Sequence, residues 1–79
     1  VTFLNNVNAE ILEFIAHENS KITKKVIREL NFPRNAIIGG VIRNDIGIIA
    51  LGDFKIQKDD KVVVCCFPKT IAKVEKFFD

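Results

Sequence analysis

Residues 36–51, AIIGGVIRNDIGIIAL, constrain this 79-residue chain more than any other stretch. Two apolar, β-branched runs, 36–43 and 46–51, meet at Asn44-Asp45. Both runs have strand length, and β-branched side chains pack well on a pleated surface. Asn and Asp tolerate the positive φ angles of a tight turn. The stretch therefore predicts an antiparallel hairpin with its tip at Asn44-Asp45. Gly39-Gly40 weakens the first strand and marks a bulge or a close backbone approach.

The flanking segments supply the rest of a sheet. In AEILEFIAH (9–17), Leu12, Phe14 and Ala16 form one wholly apolar face, and Ile11, Glu13, Ile15 and His17 a mixed one. KVVVCCF (61–67) is apolar throughout and predicts a strand covered on both faces. Residues 1–9 read as a linker or a short N-terminal edge strand, with an Asn-rich turn at Asn5, Asn6 and Asn8. Two helices are expected. In KITKKVIREL (21–30), Ile22, Val26, Ile27 and Leu30 share a helical stripe, Ser20 or Thr23 suits the cap, and Asn31 with Pro33 ends it. Pro68-Lys69-Thr70 opens the second helix, with Ile71, Val74, Phe77 and Phe78 inward.

The order β-α-β-β-β-α predicts an α+β fold: a two-layer sandwich of a mixed sheet of about four strands with two helices on one face. That leaves the other sheet face bare. A chain this short buries little more than ~60% of its unfolded surface. A second copy is the natural cover, so a homodimer is expected.

Little here suggests catalysis. The one histidine, His17, has no partner at nucleophile spacing, and the glycines form neither a dinucleotide fingerprint nor a P-loop. Asp59-Asp60 lies between Lys58 and Lys61 and reads as a solvated turn. Cys65 and Cys66 are neighbours on a strand, so they point to opposite faces; two unpaired thiols fit a reducing cytosol. The expectation is a protein that is no enzyme and holds no metal. A net charge of +2, with lysines scattered along the chain and no interleaved aromatics, argues against a nucleic-acid partner. No apolar run reaches the ~20 residues that span a bilayer. The absence of Met and the start at Val1 suggest a piece of a longer protein.

One constellation stands out. Arg43, Asn44 and Asp45 sit at the hairpin tip, and Ile48, Ile49 and Ala50 return beside them. A guanidinium fork next to aliphatic surface suits a ligand with a phosphate and a flat base. A plain exposed turn accounts for the same residues.

Residues 10–79 resemble the TrkA C-terminal domain, also called RCK-C, a regulatory module of potassium channel and transporter subunits. The resemblance is carried by SKITKKVIRELNFP (20–33), then Val41-Ile42-Arg43, then IGIIALGD (46–53), then Ile56 through Val64 with its Asp60. The chain departs from the pattern at Ala50, where Pro is usual, at Asp59, where Gly is usual, and at Thr23 or Lys24, in place of a Gly. The resemblance implies a cytoplasmic, dimerising, ligand-sensing domain of a Trk/Ktr-type potassium transport protein, peripheral to the membrane through a transporter or channel partner. It implies a Rossmann (RCK-N) domain elsewhere in the parent chain, the part that would bind NAD or ATP. In some members the C-terminal dimer binds cyclic di-AMP; by position the matching residues are Ile42, Arg43, Asn44, Asp45, Ile49 and Ala50. Other members use the domain for dimerisation alone. The competing reading is a small-molecule sensor resembling ACT domains, which carry a βαββαβ order.

Overall fold

A computed structural model describes the backbone of residues 2–3 and all of residues 8–79. The hairpin forms where its sequence places it. Strand β3 is Ala36–Arg43 and strand β4 is Ile46–Ile48, paired as Val41↔Ile48, Ile42↔Gly47 and Arg43↔Ile46. Asn44 and Asp45 have φ of 52° and 65°. Two successive left-handed residues are what a two-residue type I′ hairpin requires. The glycine pair marks a bulge, since the register of β3 against β5 shifts between Ile38 and Gly40.

Strand β5, Lys61–Cys66, lies between β2, Glu10–Ile15, and β3. A two-residue strand β1, Thr2–Phe3, extends the far side of β2. The five-stranded order is β1-β2-β5-β3-β4, and every pairing is antiparallel. The sheet is therefore not mixed, as the strand–helix–strand pattern had suggested. β2 and β3 do run parallel, but β5 is inserted between them and opposes both. The Asn-rich turn expected at Asn5 and Asn6 lies outside the described residues.

The second layer is less helical than its sequence. Among the described residues one α-helix, α1, spans Ile71–Glu75 and follows a 3-10 turn at Pro68–Thr70. Residues 21–30 form two separate 3-10 turns, Lys21–Thr23 and Ile27–Glu29, split at an extended Val26 with ψ 155°. Two causes act together. Ile22, Thr23, Val26 and Ile27 are β-branched and stiff at χ1, which lowers helix propensity. Their amides also have better partners: Ile22 N–H donates to the Phe77 carbonyl, Ile27 N–H to Phe54, and Arg28 N–H to Gly52. Ser20 does not cap a helix; its hydroxyl closes the 17–20 turn by donating to the His17 carbonyl at 2.7 Å. The fold class is α+β in two layers, with 3-10 turns and one short helix doing the covering.

Burial follows the pattern even where the helix does not. Ile22, Ile56, Val62, Val64, Val74 and Ala16 are fully enclosed, with Val41 and Phe78 beside them. Leu12 and Phe14 pack on this core, as their face of β2 predicts. Phe14 and Phe78 stack with ring centroids 4.6 Å apart. The opposite face of the sheet is open: Ile15 and Ile37 are 51% and 67% exposed.

Candidate functional site

The hairpin tip is tied to the body by one side-chain clamp. On β3, Arg43 points to the same face as buried Val41. Its Nε donates to Oδ1 of Asp60 at 2.9 Å, and its Nη2 donates to Oδ2 at 2.7 Å. Nη2 also donates to the Lys55 carbonyl at 3.3 Å. The guanidinium carbon sits 5.0 Å from the Phe54 ring centroid. A two-pronged guanidinium–carboxylate pair is directional and stronger than a single contact.

Asp60 is set by its own turn. Its N–H donates to the Gln57 carbonyl, and its Oδ2 accepts the Gln57 N–H at 2.8 Å. Asp59 N–H and Ala16 N–H cross-link this turn to the end of β2 by donating to the Ala16 and Asp60 carbonyls. Asp59 takes φ 72°, the left-handed conformation at the position where the resembling pattern carries Gly. The side chain of Asp60 is 2% exposed and that of Arg43 is 28% exposed. Burial pushes the Asp60 carboxyl up, but the Arg43 hydrogen bonds, the Gln57 N–H and the Arg43 charge outweigh it and hold it below the usual carboxylate range. The same pair raises the Arg43 guanidinium above its usual value. Asp59-Asp60 is thus only half a solvated turn: Asp59 faces water and Asp60 is the buried anchor of the hairpin.

The remaining candidate residues divide between exposed and half-buried positions. Asn44 and Asp45 are exposed at the tip, Ile42 is half-buried on the bare sheet face, and Ala50 is half-buried behind the returning strand. Ile46, Ile49 and Leu51 are 65%, 78% and 65% exposed. Ile46 on the edge strand, with Ile49 and Leu51 in the segment that follows it, form an apolar surface that association would cover. The segment after β4 then turns inward across the second layer. Gly52 permits this: a Cβ there would lie 3.3 Å from the Arg28 Cβ. The structure brings Arg43 together with Asp60 and Phe54, and leaves Asn44, Asp45 and Ile49 facing outward.

In the sequence Asp60 stands out only as part of a solvated turn and of the family pattern, not as a candidate site residue. Its local contact is a side chain bonding back to the amide three residues earlier, while its charged partner lies 17 positions away. Among the described residues no group of three His, Cys, Asp or Glu could hold a metal ion. None of their helices is long and apolar enough to cross a membrane.

The clamp, the hairpin and the strap after it coincide with a known domain: residues 11–79 match the family model described as the TrkA-C domain. The chain belongs to the TrkA-C family. It is 36% identical over 78 residues to Trk system potassium uptake protein TrkA homolog 1 of Methanosarcina mazei, covering 99% of this chain and 17% of the relative. It is 34% identical over 82 residues to TrkA of Haemophilus influenzae, covering 99% of this chain and 18% of that protein. The chain thus spans about a sixth of these relatives. A solved RCK domain with cda superposes with a TM-score of 0.75 at 19% identity, over 87% of this chain and 97% of that one. The RCK C domain of the potassium transport protein KtrA, solved with cyclic di-AMP, gives 0.73 at 20% identity, over 86% and 81%. These likenesses establish the fold of a TrkA-C domain. The strand order and the family match together displace the ACT-like alternative.

Proposed function

We propose that this TrkA-C domain is a dimerising, ligand-responsive regulator of a Trk/Ktr-type potassium transport system, acting on the cytoplasmic side of the membrane through a transporter or channel subunit and an RCK-N domain of its parent chain. It performs no catalysis in this reading. The observation that carries it is the exposed apolar edge of Ile46, Ile49 and Leu51, held in place by the Arg43–Asp60 clamp. In a single copy this edge is a surface without a second wall. A second copy related by two-fold symmetry supplies that wall.

The ligand we propose is cyclic di-AMP, which is itself two-fold symmetric. Ile42, Ile49 and Ala50 would pack on its bases, and Asn44 and Asp45 would frame it. Arg43 plays a double part: Nε and Nη2 hold Asp60, while Nη1 is left to meet a phosphate oxygen. A ligand at this junction changes the angle between copies only by its differential affinity for their arrangements. The parent protein would pass that angle to its transport partner. The support is the TrkA names of the relatives and the cyclic di-AMP of the KtrA neighbour.

A thermal-unfolding scan against cyclic di-AMP, ATP, ADP, AMP and NAD tests the ligand. At ~100 times its Kd a ligand adds about 2.7 kcal/mol. In a domain of this size that moves Tm by roughly 10–20 °C. A shift with cyclic di-AMP alone is expected. A flat panel would remove the ligand and leave a dimerisation module, the reading that Ala50 in place of Pro would then favour.

A further inference from the structure

The lysines that look scattered in the sequence converge in space. Lys21, Lys24, Lys25, Arg34, Lys73 and Lys76 line one two-lobed groove in the second layer. Its lobes enclose about 400 Å³ and about 470 Å³ and share Lys21, Asn31 and Phe77. Six of the chain's 12 cations and one of its 10 carboxylates, Glu29, face this groove. The groove therefore carries +5 in a chain of net +2, and the rest of the molecule is net −3. All six cations are exposed, and among the described residues the only salt bridge is the remote Arg43–Asp60 pair. Six like charges gathered around a single carboxylate repel, and they raise the local potential towards an anionic partner.

Phe77 and Leu30 give the groove an apolar patch among its cations. Phe77 meets Phe32 edge-on at 5.0 Å, and Lys21 Nζ lies 5.5 Å from the Phe77 centroid.

We propose that this groove docks an acidic, extended protein segment of a partner chain, with carboxylates along the lysine rim and one apolar side chain seated over Phe77 and Leu30. Three features favour this occupant. A bilayer surface is flat and would meet the rim without filling the lobes. Five of the six cations are lysines, point charges without the planar fork that matches phosphates. Both lobes are partly open to solvent, which suits a strand of chain better than a fully enclosed small molecule. The proposal stands apart from the hairpin edge and from the cyclic di-AMP reading.

The test is fluorescence anisotropy with a labelled Glu-rich peptide carrying one central Leu, at low and high salt. Binding that weakens as salt rises is expected. The double variant Lys24→Glu/Lys76→Glu should lower affinity by about tenfold or more, because each replacement turns an attraction into a repulsion. The variant Lys58→Glu/Lys69→Glu, exposed and lining neither lobe, should leave affinity within about twofold of the parent, as expected for remote surface charge. Thermal melts of both variants should match the parent, since exposed lysine changes cost little. Failure to bind the peptide, or equal losses in the two variants, would overturn the proposal. So would tighter binding, through the same lysines, to phosphatidylglycerol vesicles or to duplex DNA, which would reassign the groove to lipid or nucleic acid.

Discussion

Replacing Arg43 with Ala should cost the domain more than any change at the exposed hairpin edge. The variant strands a carboxylate that is 2% exposed with one donor left, the Gln57 N–H. Removing one partner of a fully buried pair costs about 3–5 kcal/mol. Arg43 is 28% exposed, so solvent screens one side of this pair; discounting for that leaves about 2–3 kcal/mol. A domain of this length holds roughly 4–12 kcal/mol in total. Urea unfolding at neutral pH, repeated down to acid, measures the loss and its sign. In the parent protein the Asp60 carboxyl is held below its unfolded value of about 3.9. Its contribution is fully present above that value and is lost as pH falls through the folded pKa. In Arg43→Ala burial is opposed only by the weaker Gln57 N–H bond and pushes the carboxyl up, so protonation favours the folded variant. The gap between the two proteins should therefore narrow on acidification. A gap below about 0.5 kcal/mol at pH 7, the size of an ordinary surface change, would refute the clamp. A gap that widens in acid would refute it equally. Arg43→Ala is for the same reason a poor probe of ligand binding, since it disturbs the fold first.

Three further outcomes follow from the geometry. Asp59→Gly should raise stability by about 0.5 kcal/mol by releasing a left-handed residue, and Asp59→Val should lower it by about 1–2 kcal/mol, both read by thermal melts. Ile22→Ala should cost about 2–5 kcal/mol in urea unfolding despite lying outside any α-helix, because Ile22 is fully buried. Ile49→Asp should weaken self-association by sedimentation equilibrium while leaving the monomer's melt almost unchanged, since Ile49 is 78% exposed in one copy.

The parts of this domain that were legible in its sequence are those decided by neighbours in the chain. Asn44-Asp45 fixes the hairpin because a two-residue turn with positive φ admits few residue types. The face of Leu12, Phe14 and Ala16 follows from a period of two. Residues 21–30 carry a helical pattern without forming a helix because their decisive partners are distant: the amides of Ile27 and Arg28 bond to Phe54 and Gly52, across about 25 residues of chain. Periodicity still found the buried positions there, since a stripe of apolar residues faces the core whether the backbone is helical or not. Asp60 and the basic groove share one cause of illegibility. Both arise from charges that meet only after the sheet has folded, so neither spacing nor local composition marks them. At the hairpin the residue types pointed to a ligand-facing Arg43, and the structure adds a prior engagement that the sequence could not display.

Isothermal titration of this domain with cyclic di-AMP tests the central claim most directly, because stoichiometry reports ligand and two-fold assembly together. Saturable heat at one cyclic di-AMP per two chains, lost in Ile49→Asp, is the expected result. Absence of heat, or one ligand per chain with no change in assembly, would contradict it.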